Sequence, residues 1–155
     1  MVTNKKSIGL SLAVCFVVSA FLLLLVFTGP WLFELYMTSY RGFVPNGQTI
    51  LYLKKVFGAC FYPCAVFSAV ILYSLIKLLL NIKSDEVFTL QNVKYLKTIS
   101  WCCVAIALIT FVGGYFYMPF MFIAMAGGFV GVLLRVLKNV MQTALELREE
   151  NDLTI

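Results

Sequence analysis

Histidine is absent from the 155 residues, and only seven are acidic. Without histidine the chain lacks the side chain that most often serves as a general base near neutral pH. No acidic residue falls in the middle of any long apolar run. Paired intramembrane carboxylates are therefore missing, as is the kind of buried charge that ion and proton pathways need. No glycine-rich nucleotide loop occurs, and the nucleophile that remains, cysteine, has no evident base beside it. The sequence thus reads as that of a non-enzyme without a catalytic, cofactor or metal site. Charge of either sign is also scarce, at 12% Asp, Glu, Lys and Arg, against about 25% in a typical soluble domain.

Apolar length is what the chain has in abundance. Hydrophobic residues make up 62%, and they fall into four runs of the size a hydrocarbon core of about 30 Å demands. The predicted spans are about 8–30, 56–77, 98–117 and 119–137, with a tail at 138–155. The first run follows Lys5 and Lys6, but it is longer than the roughly 7 to 15 apolar residues of a signal peptide and no A-x-A-like site follows it. The fold class expected is all-α: a polytopic transmembrane four-helix bundle, one domain, with a cytoplasmic extension of the fourth helix. The net charge of +5 does not argue for direct nucleic-acid binding, because the cations sit singly or in pairs at span ends. With four spans, Lys5, Lys6, Lys77, Lys83, Lys94, Lys97, Arg135, Lys138 and Arg148 share one side and Arg41, Lys54 and Lys55 the other. The positive-inside rule puts the richer side, and both termini, in the cytoplasm.

The junctions carry further signals. Trp31, Phe33, Tyr36 and Tyr40 form an aromatic belt after the first span. Residues 36–52 are the longest polar connection, and Pro45, Asn46 and Gly47 within them suggest a turn and a short hairpin. Pro63 should kink the second span, at whose end Lys77 is placed to snorkel. In the polar segment 81–97, Thr89 is the candidate N-cap of the third helix, with Asp85 and Glu86 just before it. Met118 and Pro119 leave almost no loop, so the third and fourth helices should form a tight antiparallel hairpin with Pro119 in the first turn.

Few side chains invite a site. Glu34, beside the aromatic belt, reads as an interfacial residue rather than a proton site. The five cysteines fall inside apolar runs at two different depths and read as small packing residues. Gly127 and Gly131 form a G-x-x-x-G, and Ala124 with Gly128 a second small pair. Packing on a neighbouring helix of the same chain is favoured over dimerisation, since the short turn already forces two helices together. Leu133, Leu137, Val140, Ala144 and Leu147 recur at four- and three-residue steps along a helix too long for the membrane. That stripe calls for cover, from residues 81–97 of the same chain or from a partner or second copy. Glu146, Glu149, Glu150 and Asp152 place negative charge at the negative end of the helix, which a cationic neighbour would relieve.

Two stretches carry a family resemblance. The first runs Asn81-Ile82, then Val87-Phe88-Thr89, Asn92-Val93 and Leu96; the second closes the chain as Glu150-Asn151-Asp152-Leu153-Thr154-Ile155. They resemble the YoaS-like family of small bacterial four-helix membrane proteins of unknown function (DUF2975 type). The resemblance implies a bacterial plasma-membrane protein and, because genes of that family commonly neighbour one for a small basic helix-turn-helix regulator, a membrane partner for a transcription factor. The expected partner-binding residues are Val87, Phe88, Thr89, Asn92, Val140, Ala144, Leu147, Glu149, Glu150, Asn151, Asp152 and Leu153, with Gly127, Gly128 and Gly131 as packing residues. Homo-oligomerisation stays open. The competing expectation is a small transporter or channel subunit for an apolar or small solute.

Overall fold

The computed structural model describes residues 2–40, 47–84 and 88–152, and these form four α-helices. They are α1 (Val2–Tyr40), α2 (Gly47–Lys83), α3 (Leu90–Gly114) and α4 (Pro119–Asp152). All four are long and apolar enough to cross a membrane, and large apolar side chains such as Phe21, Phe27, Leu108, Phe122 and Phe129 point outward from them. A surface of that kind is at rest only in hydrocarbon. The protein is a multi-pass membrane protein.

The helices are longer than the apolar runs. At 1.5 Å per residue, α1, α2 and α4 measure about 58, 55 and 51 Å, well beyond a hydrocarbon core of about 30 Å. The aromatic belt after the first run is not a loop: Trp31, Phe33 and Tyr36 continue α1, and residues 47–55 open α2. Residues 36–40 and 47–52 are thus helical and do not pair as a β-hairpin, while Pro45 and Asn46 lie outside the described residues. Polarity marked the end of the apolar run, not the end of the helix.

Backbones approach each other in series, α1 on α2, α2 on α3 and α3 on α4, with no close approach of α1 to α4 among the described residues. The end opposite most of the lysines is tied by rings. Phe33 of α1 stacks on Phe57 of α2 at 4.3 Å between centroids, Phe57 on Phe61 at 5.3 Å, and Tyr117, in the α3–α4 turn, meets Phe33 and Phe120 edge-on. Such pairs add about 0.5–1.5 kcal/mol each beyond their burial. Nearby, Lys54 Nζ donates to Glu34 Oε2 at 2.7 Å, so α1 and α2 are also joined by an ion pair, which is half exposed.

The α3–α4 hairpin is the best-packed part. Tyr115 to Met118 make the turn, with Phe116 and Tyr117 donating to Gly113 O at 3.0 Å and Phe120 to Tyr117 O at 2.9 Å. Glycine is required at its mouth: a Cβ on Gly113 would stand 2.6 Å from Phe120 Cδ2 and 3.1 Å from Cys60 Sγ. Farther along, a Cβ on Gly131 would meet Val104 Cγ2 at 3.1 Å, and Ser100 Oγ donates to Gly131 O at 2.8 Å. Gly127 and Gly128 face Ala107. The glycine stripe thus faces α3 of the same chain, where small residues let backbones come close.

Candidate functional site

The lysine-rich end is where polar chemistry collects. About one turn of α3 and about four of α4 extend there beyond roughly 30 Å from the α3–α4 turn, alongside the last turn of α2.

The α2–α3 connection is held by a polar clasp. Thr89 sits in extended backbone at φ −132° and ψ 147° and accepts a hydrogen bond from Asn92 N through its side chain, capping α3 as the sequence predicts. Asn81, near the end of α2, donates from Nδ2 to Asn92 Oδ1 at 2.8 Å. Asn92 is 0% exposed, and Val93 and Leu96, one and four residues on, are buried under it. Asn81, Thr89 and Asn92 of the family-like stretch therefore build the clasp, with Val93 and Leu96 buried beside it. Asn92 is thus hidden and Thr89 half-buried. Phe88 is exposed, and Val87 lies outside the described residues.

The tail of α4 packs on α3, but through a different face from the stripe of leucines. Its inner face carries Ala124, Gly131 and Leu145, all buried, with Leu134, Lys138 and Met141 half-buried between and beside them. By the 100° step of an α-helix, Leu133, Leu137, Val140, Ala144 and Leu147 lie on the opposite side. Val140 is 60% exposed and Leu147 61%, whereas Leu145 is 8% exposed. α4 thus packs on α3 without the stripe being covered. At the acidic end, Glu146 accepts from Gln142 Nε2 at 3.1 Å, and Glu150 and the neutral Asn151 are exposed. Glu149 and Asp152 belong to the helix, and Leu153 lies outside the described residues.

One feature of this end has no counterpart in the motif reading: Arg135 of α4 lies over the ring of Trp101 of α3, 4.8 Å from its centroid. The signal available was register, since an antiparallel hairpin closed at residues 115–118 brings 101 opposite about 132–135. The cysteines make no cluster. Cys15, Cys102 and Cys103 are buried, Cys60 and Cys64 half-buried, and all are free thiols; no group of three or more metal-ligating side chains occurs among the described residues.

No curated protein and no solved structure matches the chain. A family model does, that of proteins of unknown function designated DUF2975, over residues 8–155. The match takes in all four helices, the clasp and the acidic end alike, and the chain belongs to the DUF2975 family.

Proposed function

We propose that this protein is a non-enzymatic membrane interaction protein whose lysine-rich end faces the cytoplasm and docks a soluble partner on the outward face of the α4 tail. The observation behind the reading is the position of Val140 and Leu147. They stand about 31 and 42 Å along α4 from Pro119, beyond the reach of the hydrocarbon if the hairpin turn lies at the other interface. Both are exposed on the side facing away from α3. Apolar residues at 140, 144 and 147 are spaced as a helix that lies in a partner's groove spaces its anchors. The exposed Glu146 and Glu150 at the same end suit a basic partner.

A small helix-turn-helix regulator, the partner implied by the family resemblance, fits both features. Its docking here would withhold it from DNA, and a signal arriving through the membrane-spanning part would release it. The test is co-purification, from detergent-solubilised membranes, of a small basic helix-turn-helix regulator co-expressed with the protein. Val140→Asp with Leu147→Asp leaves Leu145 and the α3-facing side untouched and is expected to abolish recovery. Undiminished recovery with this variant would sink the assigned surface, and capture of a second copy instead would make the stripe a self-association face.

A further inference from the structure

A second feature of the lysine-rich end concerns the bilayer itself. On α3, Lys94, Lys97 and Trp101 succeed one another at three- and four-residue steps and are all exposed, so they form one stripe. Arg135 of α4 reaches that stripe from the side, over the Trp101 ring. Lys138 lies one turn farther on, its Nζ donating to Asn139 Oδ1 at 3.1 Å. Measured along the helices from the α3–α4 turn, Trp101 stands at about 20 Å, Arg135 and Lys97 at about 24 and 26 Å, and Lys138 and Lys94 at about 28 and 30 Å. For a core of about 30 Å, these groups occupy the inner edge of the hydrocarbon and the level of the lipid phosphates.

Charge balance distinguishes this cluster from the opposite end. There Lys54 has Glu34, whereas among the described residues Lys94, Lys97, Arg135 and Lys138 have no carboxylate within ion-pair distance. Four cations at similar depth on two packed helices repel one another, and the cation–π contact holds Arg135 against Trp101 of the α3 stripe. An anion placed among them would relieve that repulsion. At this depth a ligand would be bathed in acyl chains below and water above, the setting of a phospholipid headgroup.

We infer that the α3–α4 junction is a binding site for an anionic phospholipid, with Lys94, Lys97 and Arg135 holding the headgroup phosphate and Trp101 lying against the glycerol and upper acyl chain. Basic pockets between transmembrane helices take anionic headgroups by this chemistry. The proposal is independent of any protein partner.

Trp101 is itself the reporter, because the chain has two tryptophans. In a Trp31→Phe protein reconstituted in nanodiscs, its fluorescence is quenched by brominated phosphatidylglycerol or by brominated phosphatidylcholine at equal mole fraction. The expected preference for the anionic lipid is about threefold or more, on the order of what one desolvated cation contributes. It should fall to about one in Lys94→Gln with Lys97→Gln and in Arg135→Gln, and persist in Arg135→Lys. A Trp101→Phe protein, reporting from Trp31 at the other end, should show little preference. Equal quenching by the two lipids, a preference untouched by the Gln variants, or one equally strong at Trp31 would overturn the site. Inorganic phosphate at millimolar concentration should not remove the preference; removal would assign the site to free phosphate instead of lipid. Thermal unfolding of each variant checks that the exposed substitutions leave the fold intact.

Discussion

The side-chain amide of Asn81 donates to Oδ1 of the fully buried Asn92 at 2.8 Å, joining the end of α2 to the start of α3. A polar side chain buried on a helix is tolerated only when satisfied, and removing one partner strands the other. Asn92→Ala is expected to destabilise the protein by about 1–3 kcal/mol. In a double-mutant cycle with Asn81→Ala, the coupling should be about 1 kcal/mol. Unfolding midpoints in detergent measure both quantities, and a coupling near zero would mean that the clasp is not energetically joined.

The glycines of the hairpin should respond to one added methyl group with opposite signs. At Gly113 the new carbon would stand 2.6 Å from Phe120 and 3.1 Å from Cys60 Sγ, and rigid ring atoms at the mouth of a tight turn have little room to retreat. Gly113→Ala should therefore cost about 1–3 kcal/mol. At Gly128 the nearest atom is Ala107 Cβ at 3.9 Å, an ordinary contact. Gly128→Ala should stabilise by about 0.5 kcal/mol through reduced backbone entropy in the unfolded chain. Thermal midpoints of the two variants in the same detergent check the difference in sign.

The Glu34–Lys54 pair should matter less than its 2.7 Å distance suggests. Both side chains are substantially exposed, and pairs of this kind contribute about 0–1 kcal/mol and weaken with salt. Glu34→Gln is expected to change stability by under about 1 kcal/mol, with a smaller change at high ionic strength. Melting curves at low and high salt test this, and a loss of several kcal/mol would show that Glu34 does more than pair with Lys54.

Orientation is open to direct labelling. In a cysteine-free background, single cysteines at Asn46, Ser84 and Thr154 probe the α1–α2 connection, the end of α2 and the C-terminus. An impermeant maleimide applied to intact cells should label Asn46→Cys alone, as the lysine distribution requires. Labelling at Ser84→Cys would put the clasp and the α4 tail outside and exclude a cytoplasmic partner.

What the sequence disclosed depended on which physics a residue obeyed. Thr89 was legible because a threonine ahead of an apolar run has one economical use, capping, and the α3–α4 turn was legible because Met118 and Pro119 leave room for nothing longer. The outward extensions of α1 and α2 were not. Polarity was read as the end of helix, yet ring stacking of Phe33 on Phe57 and the Glu34–Lys54 contact hold α1 and α2 side by side beyond the end of the first apolar run. The seam on α4 left its cover open between residues 81–97 and a partner, and the fold turns it away from α3. In water an apolar stripe marks the packed face, but in lipid apolar side chains are at home outside and small residues mark the contact. The stripe of Leu133 and Leu137 accordingly faces away, while Gly131, among the small residues read as a packing face, lies against α3 with the half-buried Lys138 beyond it. Asn92 stood in the recognisable motif, but only the fold shows that Asn81, eleven residues earlier, is its partner.

The hydrogen bond from Ser100 to Gly131 O bears on biogenesis. α3 is the least apolar of the four spans, and the acceptor of its buried hydroxyl lies 31 residues downstream. While α3 is leaving the ribosome, the strand of chain that completes it is still inside the exit tunnel. The partner that satisfies the Ser100 hydroxyl thus reaches α3 only after α4 has been made, so the packed form of α3 is completed late in synthesis.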